Sequence, residues 1–301
     1  MMQSRVVLGT LVLVAACAEG SSRSDTESGT VRSADGVPIA YEARGKGPTS
    51  LVFVPGWSCD RNAWRHQMDS LQGEYRVIAL DLAGSGASGK GRTDWSIANF
   101  ANDVVAVVRA TDAKNVVLIG HSLGGPVALE AGLLLPDRVK GVIGVEAFYD
   151  AWADPGFGKV IDQLRPDFKA GTRAFIRKAM FLPTSPAALA DSVSEAMAAA
   201  PPEIALATID SLVAWARDRQ SPAASALQAP TGLILVSGGG AGTPRFERAR
   251  EGRPTLGVEE VPATGHFLML EVPSAFNAQL REMLSRVSRD GGAPLSARGK
   301  L

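Results

Sequence analysis

The chain has 301 residues, and its 31 basic and 31 acidic side chains cancel to a net charge of zero. No basic excess marks a nucleic-acid surface, and a hydrophobic content of 46% excludes a chain too polar to bury a core. Its three histidines and two cysteines are scattered without ligand spacing, so neither a metal nor a cofactor is expected.

Residues 1–5 carry one charge, Arg5, and residues 6–16 are apolar. Eleven residues are too few to cross a hydrocarbon core of ~30 Å as a helix, so residues 1–16 read as a signal peptide. The run Val14-Ala15-Ala16-Cys17 resembles the lipobox of bacterial lipoproteins. That resemblance implies cleavage before Cys17 and acylation of its thiol. It implies an envelope protein anchored by lipid, facing the periplasm from the outer membrane in a diderm source. Ala18 is not the aspartate associated with inner-membrane retention. An ordinary signal peptide and a secreted protein are the alternative. Residues 17–33 are rich in Ser, Gly and charge and read as a flexible tether. With Cys17 lipidated, Cys59 has no disulfide partner and reads as a small buried hydrophobe.

Residues 31–43 hold a turn at 34–37 between two extended segments, a hairpin pattern. Residues 50–54 form an apolar strand pattern that runs into Pro55-Gly56-Trp57-Ser58, followed by a helical pattern over 61–71 that carries His66. Residues 75–80 are a further strand, ending in Asp81-Leu82-Ala83-Gly84-Ser85-Gly86-Ala87-Ser88. Ile97, Phe100, Val104, Val105 and Val108 fall at helical spacing after a potential cap at Ser96. The apolar run 116–119 then enters Gly120-His121-Ser122-Leu123-Gly124, with a helical pattern from Pro126. A strand, a sharp turn on G-x-S-x-G and a helix form the setting in which a serine hydroxyl is exposed above a sheet edge. Residues 139–145 are another apolar strand, and 168–181, 186–199 and 203–217 are helical patterns punctuated by proline. Strands at 232–236 and 257–261 and a helix from Ser274 complete the body, with residues 288–301 as a tail. Strands alternating with helices predict a parallel sheet covered on both faces.

Three motifs, Gly120–Gly125, Asp81–Ser88 and Gly265-His266-Phe267, make residues 31–287 resemble the α/β-hydrolases. The resemblance implies a mostly parallel eight-stranded sheet built from residues 34–146 and 229–287, with a helical cap over 147–228. Trp152, Phe157, Met180, Phe181, Met197 and Trp215 would divide between packing the cap and lining a pocket. The resemblance also implies Ser122 as nucleophile and His266 as its base, and His121 should point elsewhere. Backbone N–H groups of Trp57 and Leu123 would form the oxyanion hole, although Pro55-Gly56 replaces the family's usual His-Gly. The acid commonly follows the seventh strand, yet residues 237–244 carry no carboxylate, and Glu247 comes later in a helical pattern. Haloalkane dehalogenases and some esterase-like relatives carry the acid after the sixth strand, which points to Glu146, with Asp150 and Asp154 close behind. Serine at the elbow, where dehalogenases and epoxide hydrolases have aspartate, implies acyl transfer. The expected partner is a small acyl substrate, and the expected reaction is hydrolysis of a carboxylic ester. Amide, lactone, thioester or carbon–carbon bond hydrolysis, perhydrolysis, and a non-catalytic binding module are the alternatives.

Overall fold

The sheet has eight strands in the order β1-β2-β4-β3-β5-β6-β7-β8. The structure, a computed structural model, describes residues 26–237 and 248–289. Residues 1–16, Cys17, most of the glycine-rich run, Glu247 and the tail from residue 290 lie outside the described residues. The strands are β1 (Thr26–Arg32), β2 (Pro38–Arg44), β3 (Ser50–Val54), β4 (Arg76–Leu80), β5 (Val116–His121), β6 (Val139–Val145), β7 (Thr231–Val236) and β8 (Thr255–Val261). β2 is antiparallel to β1 and to β4, and every other pairing is parallel. The mostly parallel eight-stranded architecture is therefore present as expected.

β3 and β5 are buried at every position, because both their faces are covered. Two helix pairs provide that cover. α2 (Ile97–Ala110) packs on α3 (Gly124–Leu134), and α1 (Arg65–Leu71) packs on the long C-terminal helix, α9 (Pro273–Arg289). α2 buries Ile97, Phe100, Val104, Val105 and Val108, the residues at helical spacing, and the Ser96 hydroxyl caps it by accepting from the Asn99 N–H. Arg92 is buried but satisfied: its guanidinium bonds both carboxylate oxygens of Asp103 on α2 and the Asp35 carboxylate in the first hairpin turn.

One boundary differs from the sequence reading. Residues 26–32, expected within the tether, form edge strand β1, paired along its whole length with β2. Its side chains are almost all exposed, as an edge strand allows, so its composition resembles a linker.

Between β6 and β7 lie five helices: α4 (Pro155–Asp162), α5 (Phe168–Ala179), α6 (Ala187–Ala198), α7 (Pro202–Asp218) and α8 (Gln220–Ala226). α5, α6 and α7 match the three helical patterns in the sequence, while α4 and α8 are short and were not legible as helices. This insertion is tied to the core at named points. The Trp57 indole N–H donates to the Ala205 carbonyl at 2.8 Å, and Glu130 on α3 accepts from Trp215 Nε1 at 2.8 Å and from Arg219.

Candidate active site

Ser122 stands at the turn between β5 and α3 with φ of +51°, a left-handed conformation that a non-glycine residue adopts at a cost of about 1–3 kcal/mol. The surrounding backbone holds it there. Ser122 N–H donates to the Val145 carbonyl at 2.8 Å, and Gly125 N–H donates to the Ser122 carbonyl at 2.9 Å. The flanking glycines are steric requirements. A Cβ on Gly120 would lie 2.1 Å from the Gly124 carbonyl oxygen, and one on Gly124 would lie 2.5 Å from that of Val54. This close approach seats the start of α3 against the end of β3, where the chain continues into Trp57. Leu123 is the N-cap residue of α3, so its N–H belongs to the set of helix-start donors without intrahelical partners.

His266 lies on the loop after β8, and its Nδ1 is 3.2 Å from Glu146 Oε2. Glu146 follows β6 at φ of +48° and is 3% exposed. A carboxylate this deeply buried needs donors. It has three: His266 Nδ1–H and the Tyr149 hydroxyl on Oε2, and the Val236 N–H on Oε1 at 2.7 Å. Burial and the adjacent Glu146 charge push the Tyr149 phenol far above its ordinary range, so its O–H remains a donor. Asp150 is instead 3.4 Å from Gln220 Nε2, and Asp154 caps α4 by accepting from the Gly156 N–H. Of the three acids after the sixth strand, Glu146 is the one bonded to His266.

His121 also points inward. It is buried, its Nε2 lies 2.9 Å from the His266 carbonyl, and the two imidazole centroids are 4.7 Å apart. A carbonyl oxygen only accepts, so Nε2 of His121 carries the proton. Burial holds this imidazole well below its ordinary range, and charge on His266 lowers it further, so His121 is neutral. The cap supplies another hold: His266 N–H donates to the Met180 carbonyl at 2.8 Å, and Phe181 stacks on Phe267 at 5.3 Å. His66 sits half-buried on α1 and is not part of the cavity lining around Ser122.

Ser122, Glu146, Tyr149 and His266 line one cavity of about 380 Å³ beneath the cap, with Trp57 in its wall. Trp152, Phe157, Met180, Phe181 and Met197 line it too, whereas Trp215 packs between cap and core, on Phe148 and Glu130. The Asp81 motif does a different job. Asp81 accepts from the Arg61 and Ala87 N–H groups, each at 2.8 Å, bracing the turn after Trp57 against the loop after β4. Among the described residues there is no cluster of three potential metal ligands.

Three contacts at this site have no signature in the sequence: the Tyr149 hydroxyl on Glu146, the His121 ring on the His266 carbonyl, and the Val236 N–H on Glu146. Only the spacing of Tyr149, three residues after Glu146, could have drawn notice.

Known proteins share this arrangement of elements. A Variovorax paradoxus protein provisionally named carbamate hydrolase RutD is 30% identical over 273 residues, covering 85% of this chain and 99% of that one. The dihydrolipoyllysine-residue acetyltransferase component of the acetoin cleaving system of Pseudomonas putida is 30% identical over 258 residues, which cover 82% of this chain and 66% of that longer protein. Among solved structures, Est816, described as an N-acyl homoserine lactone degrading enzyme, superposes with a TM-score of 0.72 at 25% identity, covering 84% of this chain and 99% of that one. A thermophilic esterase from Thermogutta terrifontis superposes at 0.74 with 22% identity over 87% of this chain and 99% of its own, a likeness of fold. The model of the alpha/beta hydrolase family matches residues 51–279, which takes in the turn after β3, the turn at Ser122 and the loop of His266, and the chain belongs to that family.

Proposed function

We propose that the protein is a serine-dependent hydrolase of carboxylic esters or related acyl compounds. Ser122 is the nucleophile, His266 its general base, and Glu146 the acid that orients and stabilises the imidazole. The observation that carries this reading is the 3.2 Å contact between His266 Nδ1 and Glu146 Oε2 in the cavity that Ser122 lines. With Nδ1 engaged, Nε2 is the ring nitrogen left to take the serine proton.

In this mechanism Ser122 Oγ bonds to the substrate carbonyl carbon while its proton passes to His266 Nε2. The carbonyl oxygen becomes an oxyanion that accepts from the N–H groups of Trp57 and Leu123. Collapse breaks the bond to the leaving alcohol, which departs with the proton from His266. Water, giving a proton to His266, then attacks the acyl-enzyme carbonyl; the bond from the acyl carbon to Ser122 Oγ breaks, the carboxylic acid leaves, and His266 returns the proton to Oγ. Lactones undergo the same steps, and the resemblance to Est816 favours including them in any substrate panel.

The test is labelling with a fluorophosphonate, together with hydrolysis of a panel of acyl-chain lengths and leaving groups. Wild type should label and turn over at least one ester, and Ser122→Ala should do neither while remaining folded. Near-wild-type turnover by Ser122→Ala would remove the assignment.

We also propose attachment to a bacterial membrane through lipid on Cys17. The Val14–Cys17 sequence motivates it. β1 runs in the same direction as the parallel strands and begins at Thr26, so the chain enters at the sheet edge opposite Ser122. Attachment there keeps the catalytic edge clear of the anchor. Cys17→Ser should release protein from the membrane fraction or block processing, and identical soluble fractionation of both forms would reject the anchor.

A further inference from the structure

Two chambers meet beneath the cap. The second has a volume of about 420 Å³ and lies between the turn after Trp57, the loop after β4 and the α6–α7 corner. Cys59, Met197 and Phe267 line both chambers, so a partition one side chain thick divides them. Met197 is unbranched and adaptable. Burial pushes the Cys59 thiol up to about 12, so it forms a neutral wall rather than a second nucleophile.

The two linings differ in chemistry. The chamber over Ser122 is walled by Trp152, Phe157, Ile161, Phe175 and Leu212. The second carries two cations, Arg65 and Lys90. Neither pairs with a carboxylate among the described residues, and Arg65 bonds the Asn62 carbonyl at 3.1 Å. Asp60, the acid in this lining, is already engaged by the Asn62 N–H at 2.8 Å and the Asn62 side-chain amide at 3.3 Å. The Ser58 hydroxyl, on a residue at φ of +53°, is buried without a hydrogen-bond partner. Arg65 and Lys90, both exposed in this lining and without a carboxylate partner among the described residues, suit one kind of group, a carboxylate or another small anion.

We propose that this chamber binds the anionic end of a two-part substrate whose scissile acyl bond lies at Ser122. This rests on the hydrolase reading and narrows it to acyl compounds with a carboxylate-type group at one end. The apolar part sits among the aromatic residues over Ser122, and the chain passes the Cys59–Met197–Phe267 partition.

Two pairs of esters test this. Phenyl butyrate and 4-carboxyphenyl butyrate place the charge on the leaving group; phenyl valerate and monophenyl glutarate place it on the acyl group. In wild type one charged ester should outperform its neutral partner in kcat/KM, which also tells which end occupies the chamber. In the double variant Arg65→Gln/Lys90→Gln that charged-to-neutral ratio should fall about tenfold, chiefly through KM, equivalent to about 1.4 kcal/mol. Ala196→Trp, which fills the chamber without touching charge, should lower the same ratio. A ratio below one in wild type for both pairs, or one unmoved by both variants, overturns the proposal. Calorimetric binding of 4-hydroxybenzoate and glutarate to Ser122→Ala protein, with and without the two cation changes, separates the two readings. Cation-dependent binding without any ester turnover would leave the chamber and remove the hydrolase. Turnover without cation-dependent binding would do the reverse.

Discussion

Tyr149 and His266 share one oxygen of Glu146. A carboxylate oxygen that accepts two hydrogen bonds gives less of its charge to each. Removing the phenol in Tyr149→Phe therefore strengthens the hold of Glu146 on the protonated imidazole. The acid limb of the kcat/KM profile should move up by about half to one pH unit, with wild-type folding by circular dichroism. A limb that stays in place would make Tyr149 a packing residue only. Glu146→Gln keeps the shape and removes the charge, and kcat should fall by about 10³–10⁴. Asp150→Asn should cost little, and a crippled Asp150→Asn beside an active Glu146→Gln would move the acid. The family resemblance pointed to Ser122, His266 and Glu146, and the structure puts all three in the lining of one cavity, each after a strand of the sheet. The roles of Tyr149 and His121 were not legible in the sequence, since their contacts depend on backbone conformation. φ is positive at Glu146 and Phe148, and this turn sets the Tyr149 hydroxyl on the Glu146 carboxylate.

At the scale of elements, the cap is held to the core by a buried polar clamp. Glu130 on α3 accepts from both Trp215 and Arg219 near the end of α7. Glu130→Ala would leave the buried Trp215 N–H unsatisfied, so stability to urea should fall by about 1–3 kcal/mol. Trp215→Phe also breaks the bond, and Glu130→Ala/Trp215→Phe should cost less than the two single changes summed. Strict additivity would mean the clamp does not couple these residues. β3 to β7 were legible because burial on both faces makes them nearly continuous apolar runs. β1 was not, because its exposed faces and polar residues match those of a linker. α4 and α8 were missed because seven or eight residues are too few to establish a period.

The whole molecule inherits a pH dependence from the elbow. His121 is held neutral in the fold, with its protonation pushed well below the ordinary imidazole range, whereas the unfolded chain protonates it near pH 6.5. Its contribution to stability is thus full above about pH 6.5 and is lost as pH falls below that value, at up to about 1.4 kcal/mol per pH unit. Urea midpoints taken between pH 5 and 7 should drop more steeply for wild type than for His121→Gln, and parallel curves would contradict a neutral buried His121. The central claim, acyl transfer through Ser122 driven by His266 and Glu146, is met most directly by trapping the intermediate. Rapid acid quench after mixing with 4-nitrophenyl acetate, followed by peptide mass analysis, should find one acetyl group on Ser122. The adduct should be absent from Ser122→Ala and form at least about 10³-fold more slowly in His266→Gln. Turnover of that ester with no adduct on Ser122, or an adduct whose rate ignores His266, would contradict the account.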